Sequence, residues 1–218
     1  ICYKFAADDT YPSSEKLYDW ELGYQYTAPR LSLGVNLYYM KYKDQLVPTG
    51  MVNDDSNALN TNVPDSYRRG VELSASWRAT GWFTVGANAT FSQNRIENYV
   101  DALKDSPTYG KELGDMTIAY SPDVIANAFL NFHHRGFEAV FHTQHVGKQY
   151  FTNNENDALS LDAYCVTNLN LAYTFRTRSA RSVRLGLLIN NLFNAEYESN
   201  GYGYSYMDTW SGPAPVRI

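Results

Sequence analysis

A two-residue rhythm of apolar and polar side chains runs through most of this chain and limits what it can fold into. From Arg69 the sequence reads RGVELSASWRA, with Val71, Leu73, Ala75 and Trp77 on one face and Gly70, Glu72, Ser74, Ser76 and Arg78 on the other. WFTVGANATFSQN sets Phe83, Val85, Ala87, Ala89 and Phe91 against Thr84, Gly86, Asn88, Thr90 and Ser92. RLSLGVNLYYMKYK repeats the pattern with Leu31, Leu33, Val35, Leu37 and Tyr39, and SVRLGLLINN with Val183, Leu185, Leu187 and Ile189. An amphipathic helix would place its apolar residues every 3.6 positions, so this rhythm specifies strands with two unlike faces.

Eight strands follow from it, at roughly 15–28, 30–47, 67–79, 82–97, 122–134, 137–150, 161–176 and 182–194. Several exceed the usual globular strand of about 5–6 residues. They cover the about 9–11 residues that a tilted strand needs to cross a bilayer. Their connections alternate. Pro29, Thr80-Gly81, Arg135-Gly136 and the RSAR of 178–181 make short turns, whereas 48–66, 98–121, 151–160 and 195 onward make long loops. In an antiparallel up-and-down meander, all short turns then fall at one end and all long loops at the other. Membrane barrels sort their connections this way, with short periplasmic turns and long extracellular loops. A β-sandwich needs Greek-key crossings, which a strict meander does not offer.

The two faces differ in kind. One carries Leu, Val, Phe, Ala and Trp; the other carries Gly, Ser, Thr, Asn and Glu, which suit a wall facing water or a polar plug. The apolar face is therefore expected to look outward, toward lipid. The fold class is all-β, an antiparallel meander of about eight long strands belonging to a large transmembrane β-barrel. Composition agrees: there are 19 Tyr, 4 Trp and 10 Phe, and an amphipathic ring suits a boundary between water and hydrocarbon. The net charge of −5 argues against a nucleic-acid partner. No stretch approaches the about 18 apolar residues of a membrane helix, a test to which a barrel is invisible. Cys2 and Cys165 show neither metal spacing nor a disulfide framework.

Three stretches resemble the TonB-dependent outer-membrane receptors: GKELGDMTIAYSPDVIANAFLNF (Gly110–Phe132), HVGKQYFTNNEN (His145–Asn156) and LLINNLFNAEYESNGYGYSY (Leu187–Tyr206). The second is similar to receptors from Bacteroidetes-like bacteria; KLYDWELGYQY and NLYYMKYKDQLVPTG match as well. The resemblance implies a barrel of about 22 strands around a plugged lumen. It also implies an N-terminal plug that contacts TonB, and a final strand with a terminal aromatic residue read by the outer-membrane assembly machinery. Neither plug nor final strand is expected within residues 1–218, which end in GPAPVRI. The expectation is a partial C-terminal barrel segment in the outer membrane of a Gram-negative bacterium. The implied activity is TonB-powered uptake of a small chelate or vitamin-like ligand. Ferric siderophore comes first, then haem, cobalamin or a glycan. The alternative is a self-contained small barrel with a structural or adhesion role; a soluble β-sandwich binding module is a third.

No phosphate cradle, nucleophile elbow or paired-carboxylate spacing is present, so no catalytic residue, cofactor or enzyme activity is expected. His133 and His134 are neighbours on a strand and point to opposite faces, so they do not chelate one ion. His142 shares the polar face with Glu138 and Gln144, and His145 has the opposite parity; no metal site is expected of them. VNDDSN (Val52–Asn57) lacks the order of a calcium loop and reads as a solvated loop. The candidate ligand contacts are Tyr99, Tyr109, Tyr150, Tyr202 and Tyr204, with Phe151 and Tyr206 beside them. They either close over an aromatic or chelate ligand or form the headgroup girdle.

Overall fold

The computed structural model describes residues 12–52, 57–103, 106–177, 181–204 and 214–217. Eight long strands dominate: β1 (Lys16–Thr27), β2 (Leu31–Val52), β3 (Ala58–Arg78), β4 (Phe83–Val100), β6 (Val124–His134), β7 (Phe137–Val146), β10 (Tyr164–Phe175) and β11 (Val183–Ile189). Short strands β5 (Glu112–Thr117), β8 (Gln149–Tyr150), β9 (Ser160–Leu161), β12 (Gly201–Tyr204) and β13 (Ala214–Arg217) decorate the loops. Among the described residues, no helix is long and apolar enough to cross a membrane. The long strands pair antiparallel in chain order, with β1 bonded to β2 at one edge and β11 to β10 at the other. This is the meander that the loop pattern predicts.

The register explains why the rhythm holds from strand to strand. Leu31, Trp77, Val85, Leu130, Phe141, Leu169 and Ile189 face one another in a single row across seven strands. The adjacent row holds Ser32, Ser76, Gly86, Phe129, His142 and Asn168. A one-residue slip would move every apolar side chain to the other face. Gly86 has a packing reason, since a Cβ there would fall 2.4 Å from the Phe129 ring. The polar face carries an open depression of about 620 Å³ lined by Glu21, Gln25, Asn36, Glu72, Ser74 and Asn88, which marks it as the concave side. The apolar face stays open, with Leu37, Leu73, Phe91, Leu130 and Leu187 all exposed.

Aromatic rings bound this apolar face at both ends. Toward the loops, Tyr18, Trp20, Tyr39 and Tyr67 form a continuous ladder with centroid separations of 6.4, 5.8 and 6.3 Å. Toward the turns, Trp82, Phe132 and Phe137 meet at 5.2 and 6.1 Å, with Trp77 nearby on β3. Ten residues separate Tyr67 from Trp77, about 33 Å at about 3.3 Å per residue. A strand tilt of about 40° brings that to about 25 Å, the height of the apolar band on a membrane barrel.

Two connections differ from the sequence expectation. The first turn is Pro29-Arg30, closed by Ala28 and Leu31 bonding each other's backbone at 2.7 and 3.3 Å, rather than Pro29 alone. Much of the expected loops 48–66 and 98–121 is strand: β2 runs to Val52, β3 starts at Ala58, and β5 pairs with the top of β4. The cause is a change of phase. Asp44 and Asn98 sit at φ 54° and 49°, which shifts the alternation by one residue and hides the continuing strands. At the other end, Arg135 and Gly136 both have positive φ, 48° and 86°, as a two-residue hairpin turn of the right twist requires.

Candidate functional site

Most large buried side chains gather at the loop-bearing end, while along the sheet burial reaches a few small residues such as Ala139 and Ala172. Val47, Val63, Ile96, Tyr99 and Ile118 form one cluster, with Leu113 and Met116 against it. Phe151, Leu159 and Leu161 form a second, covered by Tyr120. The strand extensions, the 101–123 loop and the 147–163 loop thus share a core of their own.

Polar side chains tie these loops together. Asn153 is fully buried; its Oδ1 accepts from Ala119 N at 2.7 Å and its Nδ2 donates to Pro48 O at 2.9 Å. Glu155 accepts from Thr117 N at 2.9 Å and pairs with Arg95. Burial opposes ionisation of Glu155, but the Thr117 hydroxyl and amide and the Arg95 guanidinium outweigh it and hold the carboxyl below its usual range. Asp101 is fully buried and accepts from Leu103 N at 3.0 Å, Thr108 Oγ1 at 2.6 Å and Asn154 Nδ2 at 3.2 Å. Burial again works against the charge, and these donors together with Ser106 again prevail, so its pKa is lowered. Gly50, at φ 79°, lets the two loops touch: a Cβ there would lie 1.8 Å from Phe151 O.

The candidate tyrosines separate. Tyr99 is 3% exposed inside the first cluster, where its ring joins the loop segments, and burial raises its pKa. Phe151 is fully buried in the same manner. Tyr109 is 53% exposed at a turn. Tyr150 is half-buried under the Lys148 ammonium, 4.9 Å from its ring centre, and its hydroxyl donates to Asp157 at 3.4 Å. Tyr202 is half-buried on β12, and Tyr204 lies on the same strand. Tyr206, Cys2 and the Asp54-Asp55 pair of VNDDSN lie outside the described residues.

Three features escape sequence reasoning. Tyr120 donates its hydroxyl to Gly201 O at 2.9 Å, and β12 forms a parallel bridge to β2 through Gly203 and Met51. The chain after β11 therefore returns across the sheet to the tip of β2. Near β10, Tyr164 and Tyr197 stack at 4.6 Å beside a cavity of about 350 Å³ lined also by Asp162 and Glu196. No local signal announces contacts between residues so far apart in sequence. On the concave wall, Glu138 and Arg184 form a two-pronged ion pair at 3.0 and 2.7 Å.

The histidines lie where parity placed them. His133 faces Glu138 and His134 faces Phe137 across the β6–β7 pair, so the two point to opposite sides of the sheet. Among the described residues no three His, Cys, Asp or Glu side chains are grouped to hold a metal ion.

Comparison with known proteins places this architecture. The chain is 23% identical over 206 residues to the pesticin receptor of Yersinia enterocolitica, an alignment covering 94% of the chain and 28% of that receptor. The pesticin receptor of Yersinia pestis matches to the same extent. Among solved structures, the ferric yersiniabactin uptake receptor FyuA from Yersinia pestis superposes with a TM-score of 0.65 at 20% identity, over 93% of this chain and 28% of that one. The copper transporter OprC gives 0.63 at 21% identity, over 94% and 30%. BauA, the ferric preacinetobactin receptor from Acinetobacter baumannii, gives 0.62 at 14%, over 93% and 28%. The chain thus spans under a third of the length of these relatives. The family described as TonB dependent receptor-like, beta-barrel, matches residues 6–192, and the chain belongs to that family.

Proposed function

We propose that this chain is a wall segment of a receptor in the outer membrane of a Gram-negative bacterium. The whole receptor takes up a scarce ligand with energy delivered through TonB. One observation carries the reading: an apolar outward face about 25 Å tall, bounded by aromatic ladders and backed by a polar concave wall. That is a wall between hydrocarbon and a hydrated lumen. Two edges support its being part of a larger barrel, since among the described residues β1 pairs with β2 alone and β11 with β10 alone. In lipid, an open edge leaves backbone groups unsatisfied at several kcal/mol each. In this reading the missing neighbours, the plug with its TonB contact, and the strand read by the assembly machinery belong to the remainder of the receptor.

Ferric siderophore is the proposed cargo. The support is the named cargo of the structural relatives, ferric yersiniabactin for FyuA and ferric preacinetobactin for BauA. Tyr109, Tyr150 and Tyr202 are the loop tyrosines proposed to meet it. The role is transport, with no catalysis. The test is uptake of radiolabelled iron from a panel of ferric siderophores by iron-starved host cells, with and without the full receptor gene. Uptake of at least one chelate should require both the receptor and TonB. Unchanged uptake across the panel in the deletion strain overturns the siderophore reading. Copper belongs in the same panel because of the OprC likeness.

A further inference from the structure

On the outward face, Arg69 stands in a row with Trp20, Tyr39 and Gln93. The next row toward the turns is Leu22, Leu37, Val71 and Phe91, entirely apolar. The row toward the loops is Tyr18, Lys41, Tyr67 and Arg95. Arg69 therefore marks the level where the wall passes from aliphatic to aromatic and charged. No carboxylate stands in any of these three rows. The two cations diagonal to Arg69 are already neutralised, Lys41 by Glu97 and Asp65 and Arg95 by Glu155.

Arg69 itself is exposed and, among the described residues, held by uncharged groups alone. Its Nε and Nη2 donate to Gln93 Oε1 at 2.8 and 2.5 Å, and its Cζ lies 5.2 Å from the centre of the Tyr67 ring. Its Nη1 has no hydrogen-bond partner among the described residues. The result is a full positive charge, fixed in orientation, with donors to spare. Such a charge is costly among acyl chains and tolerated near the interface. A planar guanidinium matches a phosphate with two parallel bonds.

We propose that Arg69, clamped by Gln93 and Tyr67, is a binding site for the phosphate of a lipid headgroup in the leaflet at the loop-bearing end. The proposal rests on the membrane-wall reading given above. It commits to a lipid because of what lies beneath: an occupant of the Arg69 site rests on Leu37, Val71 and Phe91. A lipid presents acyl chains to that apolar row and its phosphate to the guanidinium. A free anion satisfies only the second contact.

The full receptor, delipidated in detergent, is mixed with diphosphorylated lipid A or with fully dephosphorylated lipid A, and retained lipid is read by native mass spectrometry. Wild type should hold the phosphorylated form about ten-fold more tightly, as expected for a charge-assisted contact. Arg69→Gln should bring it to the dephosphorylated level, Arg69→Lys to an intermediate one, and Arg184→Gln on the concave face should change nothing. Should Arg69→Gln misfold, as judged by gel mobility without heating, Gln93→Leu keeps the cation, loosens its clamp and should still reduce the preference. Equal retention of both lipids by wild type, or full retention of the preference in Arg69→Gln and Gln93→Leu, overturns the site. Displacement of the lipid by millimolar inorganic phosphate overturns the choice of a lipid. Retention of neither lipid form sinks the membrane-wall reading and this site with it.

Discussion

Leu73→Arg tests the assignment of inside and outside most directly. Leu73 lies on the outward face, paired with Val35 and Ala89, and is 43% exposed. It is six residues from Tyr67 and four from Trp77. At about 3.3 Å per residue and a tilt of about 40°, it lies about 15 Å from one girdle and about 10 Å from the other. That is near the middle of the apolar band, where an arginine costs about 2–4 kcal/mol. The folding equilibrium should fall by about two orders of magnitude, at about 1.4 kcal/mol per factor of ten. Ser74→Arg, one residue along, enters the concave depression instead. Ser74 Oγ occupies the space that Gly34 leaves open, 2.5 Å from where its Cβ would be. With Glu72 on the same face, the added guanidinium has water and a carboxylate at hand, and its cost should stay below about 1 kcal/mol. The assay is urea titration of the full receptor refolded into lipid vesicles, with the folded fraction read from gel mobility without heating. Equal losses from the two variants would refute the assignment of faces.

Phe151→Ala should remove about 3–5 kcal/mol from the loop core, because the ring is fully buried against Leu159, Leu161 and Tyr120. Protease should then nick the 147–163 segment while the barrel keeps its folded mobility; loss of that mobility would show that the loop core is not separable. The lowered pKa values of Glu155 and Asp101 mean that the folded loops bind these protons less readily than the unfolded chain does. Their contribution is therefore complete above the unfolded values of about 4.3 and 3.9 and is lost as pH falls through the folded values. Protease resistance of the loops should decline on acidification below about pH 4, and Glu155→Gln should weaken that dependence; an unchanged acid profile in both Glu155→Gln and Asp101→Asn would contradict it. In a full receptor lacking Cys2 and Cys165, Asn57→Cys should react with an impermeant reagent on intact cells and Gly81→Cys should not; the reverse result inverts the topology.

The sheet was legible because one-sided burial repeats every two residues. Leu33, Leu73 and Ala89 each declare their face within their own strand, and the short turns order the strands. The loop end was not legible, for two physical reasons. Left-handed residues at Asp44 and Asn98 change the phase of the alternation, so the buried Gln45, Val47 and Thr49 no longer align with Leu33 and Leu37. Beyond them the burial is polar as well as apolar: Ser66, Asn94 and Asp101 are enclosed, and a pattern of hydrophobicity carries no trace of them. Tyr99 shows the limit. Its burial depends on Ile118 and Val47, which the folded loops bring to it and which no local pattern announces. Asn153 is a stronger case, since its partner Pro48 lies 105 residues away. The Glu138–Arg184 ion pair was equally hidden, although parity had already placed Glu138 on the polar wall.

The bonds that Asn153 and Glu155 make across three loop segments have a consequence for capture kinetics. Ordering a residue costs about 1–2 kcal/mol of backbone entropy, and here that loss falls within folding itself. In the proposed receptor, a ligand alighting on these loops meets a surface whose shape is already set. Its encounter rate is then governed by diffusion and orientation, without a slow step in which loose chain wraps around it. Where binding does demand rearrangement, it should begin at attachments such as the Tyr120–Gly201 hydrogen bond and the β12–β2 bridge through Gly203 and Met51, while the Asn153 junction keeps its form. Association traces for the intact receptor should then show one fast phase set by the junction and, at most, one slower phase set by the β12 attachment.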